Sequence, residues 1–98
     1  MKISVLTQAE GHLDEGYEWY KRQARGPGDY FLRSMYAEIE SLHKLAGIHR
    51  RSYGKHCLKA GKFPLGIFYA IHGDTVEVCA VIDLRRRPSW IRRELGGR

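Results

Sequence analysis

Arg50, Arg51, Lys55, His56 and Lys59 fall within ten consecutive residues, and Arg85, Arg86 and Arg87 stand together further along the chain. These residue types suit metal-free cleavage of a phosphodiester. That chemistry needs a base for a 2′-hydroxyl proton, an acid for the leaving oxygen and cations for the charged phosphorane. Arg51, Lys55, His56, Lys59 and Arg85 are the candidate catalytic set if the chain is a nuclease; the plainer reading makes His56 a surface histidine. The same cations can also dock a polyanion without chemistry. For that role the distinctive group is Arg85, Arg86, Arg87, Trp90, Arg92 and Arg93, where Pro88 and the indole give the arginines a rigid and apolar neighbour. Trp90 itself is either an anchor that returns the tail to the core or a contact residue.

The charge is unevenly placed. Seventeen basic residues stand against eleven acidic ones, a net charge of +6. Residues 1–49 hold six Lys and Arg and seven acids, whereas residues 50–98 hold eleven and four, so all the excess lies in the second half. This asymmetry predicts a polyanionic or strongly acidic partner: nucleic acid, a nucleoprotein particle or an acidic protein tail. No basic amphipathic helix with an aromatic edge is evident, which argues against a membrane surface. Cys57 and Cys79 are two cysteines in segments that read as strands, too few for a zinc site of the CxxC kind, and both read as buried thiols. His12, His43, His49 and His72 are scattered without ligand spacing, so neither a metal nor a cofactor is expected. Gly26-Pro27-Gly28 lacks the preceding strand and the Lys-Ser/Thr ending of a phosphate loop, and reads as a turn.

Ninety-eight residues, 43% hydrophobic and 29% charged, allow one globular domain, 1–98, and exclude a two-domain enzyme with a separate cofactor module. The longest glycine-free apolar runs, Ile67 to Ile71 and Val78 to Ile82, are far short of the ~20 residues that cross a bilayer. The N-terminus lacks the features of a secretory signal, and a cytoplasmic address is expected.

The elements that would position these residues can be read from periodicity. Lys2 to Leu6 alternates as a short strand, and Thr7-Gln8-Ala9-Glu10 reads as a capping box opening a helix. Ala9, Leu13, Tyr17, Tyr20 and Ala24 form its apolar stripe. After the Gly-Pro-Gly break a second helix is expected from about Asp29 to Ala46, with Phe31 or Leu32, Met35, Ile39, Leu42 and Ala46 inward and Gly47 as its stop. Residues 52–59 alternate weakly; Phe63 to Ile71 is a stronger strand, with Phe63, Leu65, Ile67, Tyr69 and Ile71 on one face. A turn centred on Gly73-Asp74 leads to the return strand Thr75 to Leu84, where Val76, Val78, Ala80, Ile82 and Leu84 should face one way. The expected fold is α+β, β-αα-βββ: an N-terminal strand and an antiparallel helical hairpin on one face of a small antiparallel sheet, in two layers.

In this order, several pieces resemble the RelE/ParE toxins of type II toxin-antitoxin modules. They are the opening strand, Trp19-Tyr20 on a helix, Gly26-Pro27-Gly28 before Phe31-Leu32, Phe63-Pro64 with Ile67 and Tyr69, Ala80-Val81, and Arg87-Pro88 with Trp90 and Arg93. The ending from Asp83 to Arg93 is most similar to the ParE-like, plasmid-stabilisation branch. The resemblance implies a growth inhibitor silenced by a small cognate antitoxin whose C-terminal segment wraps the toxin. ParE-like members act on DNA gyrase, and RelE-like members cut messenger RNA in the ribosomal A site. RelE-like nucleases use Lys and Arg of the central sheet with a C-terminal Tyr or His. Here Trp90, which has no titrating proton, holds the nearest position, so gyrase is the expected target, with messenger cleavage or a nontoxic antitoxin-binding member as the alternatives. Exposed aliphatic groups of the hairpin and an Arg-rimmed sheet edge would accept the amphipathic and acidic segment of the antitoxin.

Overall fold

The computed structural model describes residues 1–96, in the order β1 (Lys2–Val5), α1 (Thr7–Gln23), α2 (Pro27–Glu40), α3 (Leu42–Leu45), β2 (Arg51–Ser52), β3 (Lys55–Lys59), β4 (Leu65–His72), β5 (Thr75–Asp83) and α4 (Pro88–Gly96). Gly97 and Arg98, whose order the sequence leaves open, lie outside the described residues. Helix α1 buries Ala9 and Leu13 and half-buries Tyr17 and Tyr20, as its stripe predicts, while Ala24 lies exposed beyond its end. The capping box does not form. Leu6 is the N-cap, its amide still donating to the Val78 carbonyl in the sheet (2.9 Å) while its own carbonyl accepts from Glu10 (3.0 Å). The strand therefore runs straight into the helix, and Thr7 is already inside it.

Helix α2 starts on Pro27, behind Gly26 at φ 99°, and ends at Glu40, earlier than the expected Ala46. Ser41 interrupts the run, its hydroxyl donating to the Glu38 carbonyl at 2.6 Å, a side-chain bond that competes with the helical ladder. Leu42 of the short α3 is nonetheless fully buried, and Gly47 at φ 99° closes the segment. The two long helices meet closely at Gly16, where an added Cβ would stand 2.5 Å from Phe31 Cζ.

The five strands are ordered β1-β5-β4-β3-β2. The pairs from β2 to β5 are antiparallel, but β1 lies parallel to β5, so the sheet is mixed rather than wholly antiparallel. The helical hairpin is the crossover that lets the first and last strands run in the same direction. Strand β4 begins at Leu65 rather than Phe63, because Pro64 has no N–H for the ladder; its carbonyl instead accepts from Leu84 at 2.9 Å. The weak 52–59 segment is a hairpin, turning on Tyr53 (φ 55°) and Gly54 (φ 80°) in the two-residue form that needs positive φ at both positions.

Strand β5 departs from its expected alternation. Phe68 pairs with Ala80 but Tyr69 pairs with Val78, which leaves Cys79 as an extra residue in a bulge. Val76, Val78 and Val81 consequently face the helical hairpin, whereas Ala80 and Ile82 face the other way. The first core holds Leu13, Phe31, Met35, Ile39 and Leu42 against Ile67, Tyr69 and the three valines. The second, which the two-layer expectation lacks, packs Ile91 and Leu95 of α4 on Cys57, Phe68, Ala80 and Ile82. Each such side chain contributes about 1.5–3 kcal/mol when fully buried, enough for α4 to form a third layer. Both cysteines are buried as thiols, and burial pushes the Cys57 thiol pKa up. Among the described residues, no helix is long and apolar enough to cross a membrane.

Candidate functional site: a groove and an arginine-rich helix

Strand β1 covers the outer edge of β5 only from Thr75 to Val78. Beyond that point α1 and α4 flank the edge and leave a groove of about 510 Å³, lined among others by Trp19, Tyr20, Pro64, Arg86, Trp90 and Glu94. Trp19 is 52% exposed at its rim. An aromatic cluster supports that wall: Tyr20 stacks on Phe31 at 5.1 Å, and Phe63 meets both rings edge-on at 5.3 and 5.1 Å.

The far end of the groove is closed by His12. Its Nδ1 accepts from the Val81 amide (3.0 Å), which places the ring proton on Nε2, where it is donated to Glu94 Oε1 (3.0 Å). Gln8 Nε2 also donates to the Glu94 carbonyl at 3.0 Å. The hydrogen bond from His12 holds the Glu94 carboxyl below its ordinary pKa. One imidazole thus satisfies a strand amide that β1 leaves unpaired and ties α4 to α1. Residue types do not reveal this contact, because its partners lie far apart in the chain and no local pattern joins them.

The candidate catalytic set is not brought together. Arg51 pairs with His56 in the β2–β3 ladder, so both project toward the helical-hairpin side. Lys55 and Lys59 alternate with His56 and lie on the α4 side. His56 is committed to structure: its Nδ1–H donates to the His49 carbonyl (2.8 Å) and its ring stacks on Tyr69 at 5.1 Å. The fully buried Tyr69 accepts from the Gly47 amide (2.9 Å) and donates to His49 Nδ1 (2.6 Å). Burial and the neighbouring His56 push the His49 pKa down. Arg85 is held by a two-pronged ion pair with Asp83 (3.0 and 2.9 Å), which keeps the Asp83 carboxyl below its usual range.

The docking set is better gathered. Arg86 lies 4.4 Å over the half-buried Trp90 ring, and Arg92 lies 5.7 Å over Tyr53 in the hairpin turn. Arg87 and Arg93 are exposed beside them. Trp90 anchors α4 on the second core, and its half-buried ring also lines the groove.

No model of a known protein family matches the chain, and no curated protein matches its sequence. The backbone does find a match. It superposes, with a TM-score of 0.76 and 19% identity, on a chain of the solved structure described as the chromosomal ParDE TA system from P. aeruginosa. The match covers 85% of this chain and 95% of that one. The fold is that of a ParDE-system chain. The ParE/RelE-like architecture expected from the residues is thereby met at the level of the backbone.

Proposed function

We propose that this chain is the growth-inhibiting toxin of a toxin–antitoxin pair and that it acts by binding DNA gyrase rather than by cutting messenger RNA. The observation that carries the choice of mechanism is the dispersal of the candidate catalytic set: Arg51 and His56 on one face of the sheet, Lys55 and Lys59 on the other, and Arg85 tied to Asp83. That dispersal of the five residues supports docking over cleavage, which needs a base, an acid and a phosphorane-stabilising cation at one point. The arginine-rich end, with Arg86, Arg87, Arg92, Arg93 and Trp90 on or next to one short helix, supports docking instead. The antitoxin takes the groove between α1 and α4, where indoles and a free stretch of sheet edge suit an extended or amphipathic segment and the arginine rim suits acidic residues.

The test is to induce the chain alone in bacterial cells and follow amino-acid incorporation and DNA synthesis over the first minutes. Replication should fail while translation holds, and purified chain should inhibit supercoiling by gyrase. An early collapse of translation with replication intact overturns the gyrase reading and restores the sheet cations as catalytic candidates.

A further inference from the structure

We propose that the outer face of α4, together with the β2–β3 hairpin, binds double-stranded DNA directly, through its phosphates and without reading sequence. Ile91 and Leu95 point into the second core. At about 100° per residue this turns Arg92 toward the hairpin, Trp90 and Glu94 toward α1, and Ser89 and Arg93 outward. Arg86, Arg87, Arg92 and Arg93 are all exposed, and Lys55 and Lys59 lie on the same side of the sheet as α4. Of the nearby carboxylates, Asp83 is paired with Arg85, and Glu94, hydrogen-bonded to the neutral His12, keeps its charge and is attracted to Arg93 without forming an ion pair. Among the described residues none of these four arginines forms an ion pair. The face therefore carries four guanidinium groups against the single charge of Glu94, a net positive cluster.

Two of these groups are held in place. Arg86 rests on Trp90 at 4.4 Å and Arg92 on Tyr53 at 5.7 Å, cation–π contacts that fix a long side chain before any partner arrives. Tyr53 occupies left-handed backbone at φ 55°, a conformation that non-glycine residues rarely adopt. Its ring meets Phe68 edge-on at 6.3 Å, so the strained turn presents a fixed aromatic seat under Arg92. Because guanidinium groups cover both rings, neither is an open platform for stacked bases. This favours the backbone of a duplex over the bases of a single strand. The inference goes beyond the gyrase reading, since the contact requires no gyrase.

The experiment is fluorescence anisotropy of a labelled short duplex titrated with the purified full chain over a range of salt concentrations. Four to six phosphate contacts give a slope of about −3.5 to −5.5 in log affinity against log salt. The variant Arg86→Gln/Arg92→Gln/Arg93→Gln should weaken binding at low salt roughly tenfold or more and make the slope shallower by about 3. Arg22→Gln/Arg25→Gln/Arg33→Gln, which removes the same charge from the helical hairpin, should change affinity by less than about threefold. Arg86→Lys/Arg92→Lys/Arg93→Lys retains the charge and should retain the slope; it also keeps the test decisive if the glutamine variant does not fold. Equal weakening in the two glutamine variants, tighter binding to a single strand of the same length, or no binding by the unmodified chain at low salt would each overturn the proposal. Loss of gyrase inhibition with duplex binding intact overturns only the target reading.

Discussion

At the scale of single residues, two glycines of α1 make opposite predictions. Gly11 is exposed with nothing within 4 Å of an added Cβ. Gly11→Ala should therefore stabilise by the helix-propensity difference of about 0.5–1 kcal/mol, raising Tm by about 3–6 °C. Gly16 has the same propensity deficit, but its added methyl would stand 2.5 Å from Phe31 Cζ. Phe31 is 1% exposed and wedged between Tyr20 and Phe63, so it cannot yield cheaply. Overpacking of about 1–3 kcal/mol outweighs the propensity gain, and Gly16→Ala should melt lower. A third residue, His49, sets a pH dependence. Its Nδ1 accepts the Tyr69 proton, so protonating His49 leaves a buried hydroxyl hydrogen without an acceptor, and burial and His56 already push its pKa below the ordinary value. The fold prefers the neutral ring, so this contribution is complete above about pH 6.5 and declines as pH falls below it. Glu38 on the packed helix α2 opposes the shift without reversing it. Urea melts should lose free energy on that limb, and His49→Gln should flatten it.

At the scale of elements, α4 is a helix held by a few contacts: Ile91 and Leu95 below, and the Glu94–His12–Val81 chain at its side. His12→Ala should leave the Val81 amide unpartnered, at about 1–3 kcal/mol, and loosen α4 from α1, with Gln8 as the remaining hydrogen-bonded tie to Glu94. Amide exchange at residues 91–95 should then accelerate more than exchange in α1 or α2. Glu94→Gln, which keeps an acceptor oxygen for His12, should do less than half as much. Faster exchange spread evenly over the chain would instead make His12 a general core residue. The helical hairpin and β4 were legible because Leu13, Met35, Ile39 and Ile67 to Tyr69 repeat with the period of their element. Helix α4 was not, since only Trp90, Ile91 and Leu95 interrupt its polar surface, although Pro88 as first residue and the spacing of four between Ile91 and Leu95 were the available signal. The face switch in β5 was illegible for a different reason: a bulge at Cys79 depends on the register of a partner strand. Residue types likewise mark Arg86, Trp90 and Arg92 but not Tyr53, the ring under Arg92, and they group His56 with Lys55 when the pleat sends the two to opposite faces.

At the scale of the whole molecule, the division of charge along the chain becomes a division in space. The helical hairpin, built from the near-neutral first half, covers one face of the sheet; α4 and its arginines, from the basic second half, cover the other. This polarity predicts which substitutions silence the chain in cells. Arg85 is bound by Asp83 and contributes little net charge to a partner, whereas Arg86 and Arg87 are exposed just before the first turn of α4. Arg86→Glu/Arg87→Glu should abolish growth inhibition on induction while shifting Tm by only a few degrees, because what is given up among the described residues is the cation–π pair with Trp90, about 0.5–1 kcal/mol, and a surface attraction between Arg86 and Asp83. Arg85→Gln should retain inhibition, although it frees Asp83 and raises its pKa toward the ordinary carboxylate range. Full toxicity in the double variant, with its melt unchanged, would move the docking surface away from the arginine-rich end and leave the groove between α1 and α4 as the place where the target is engaged.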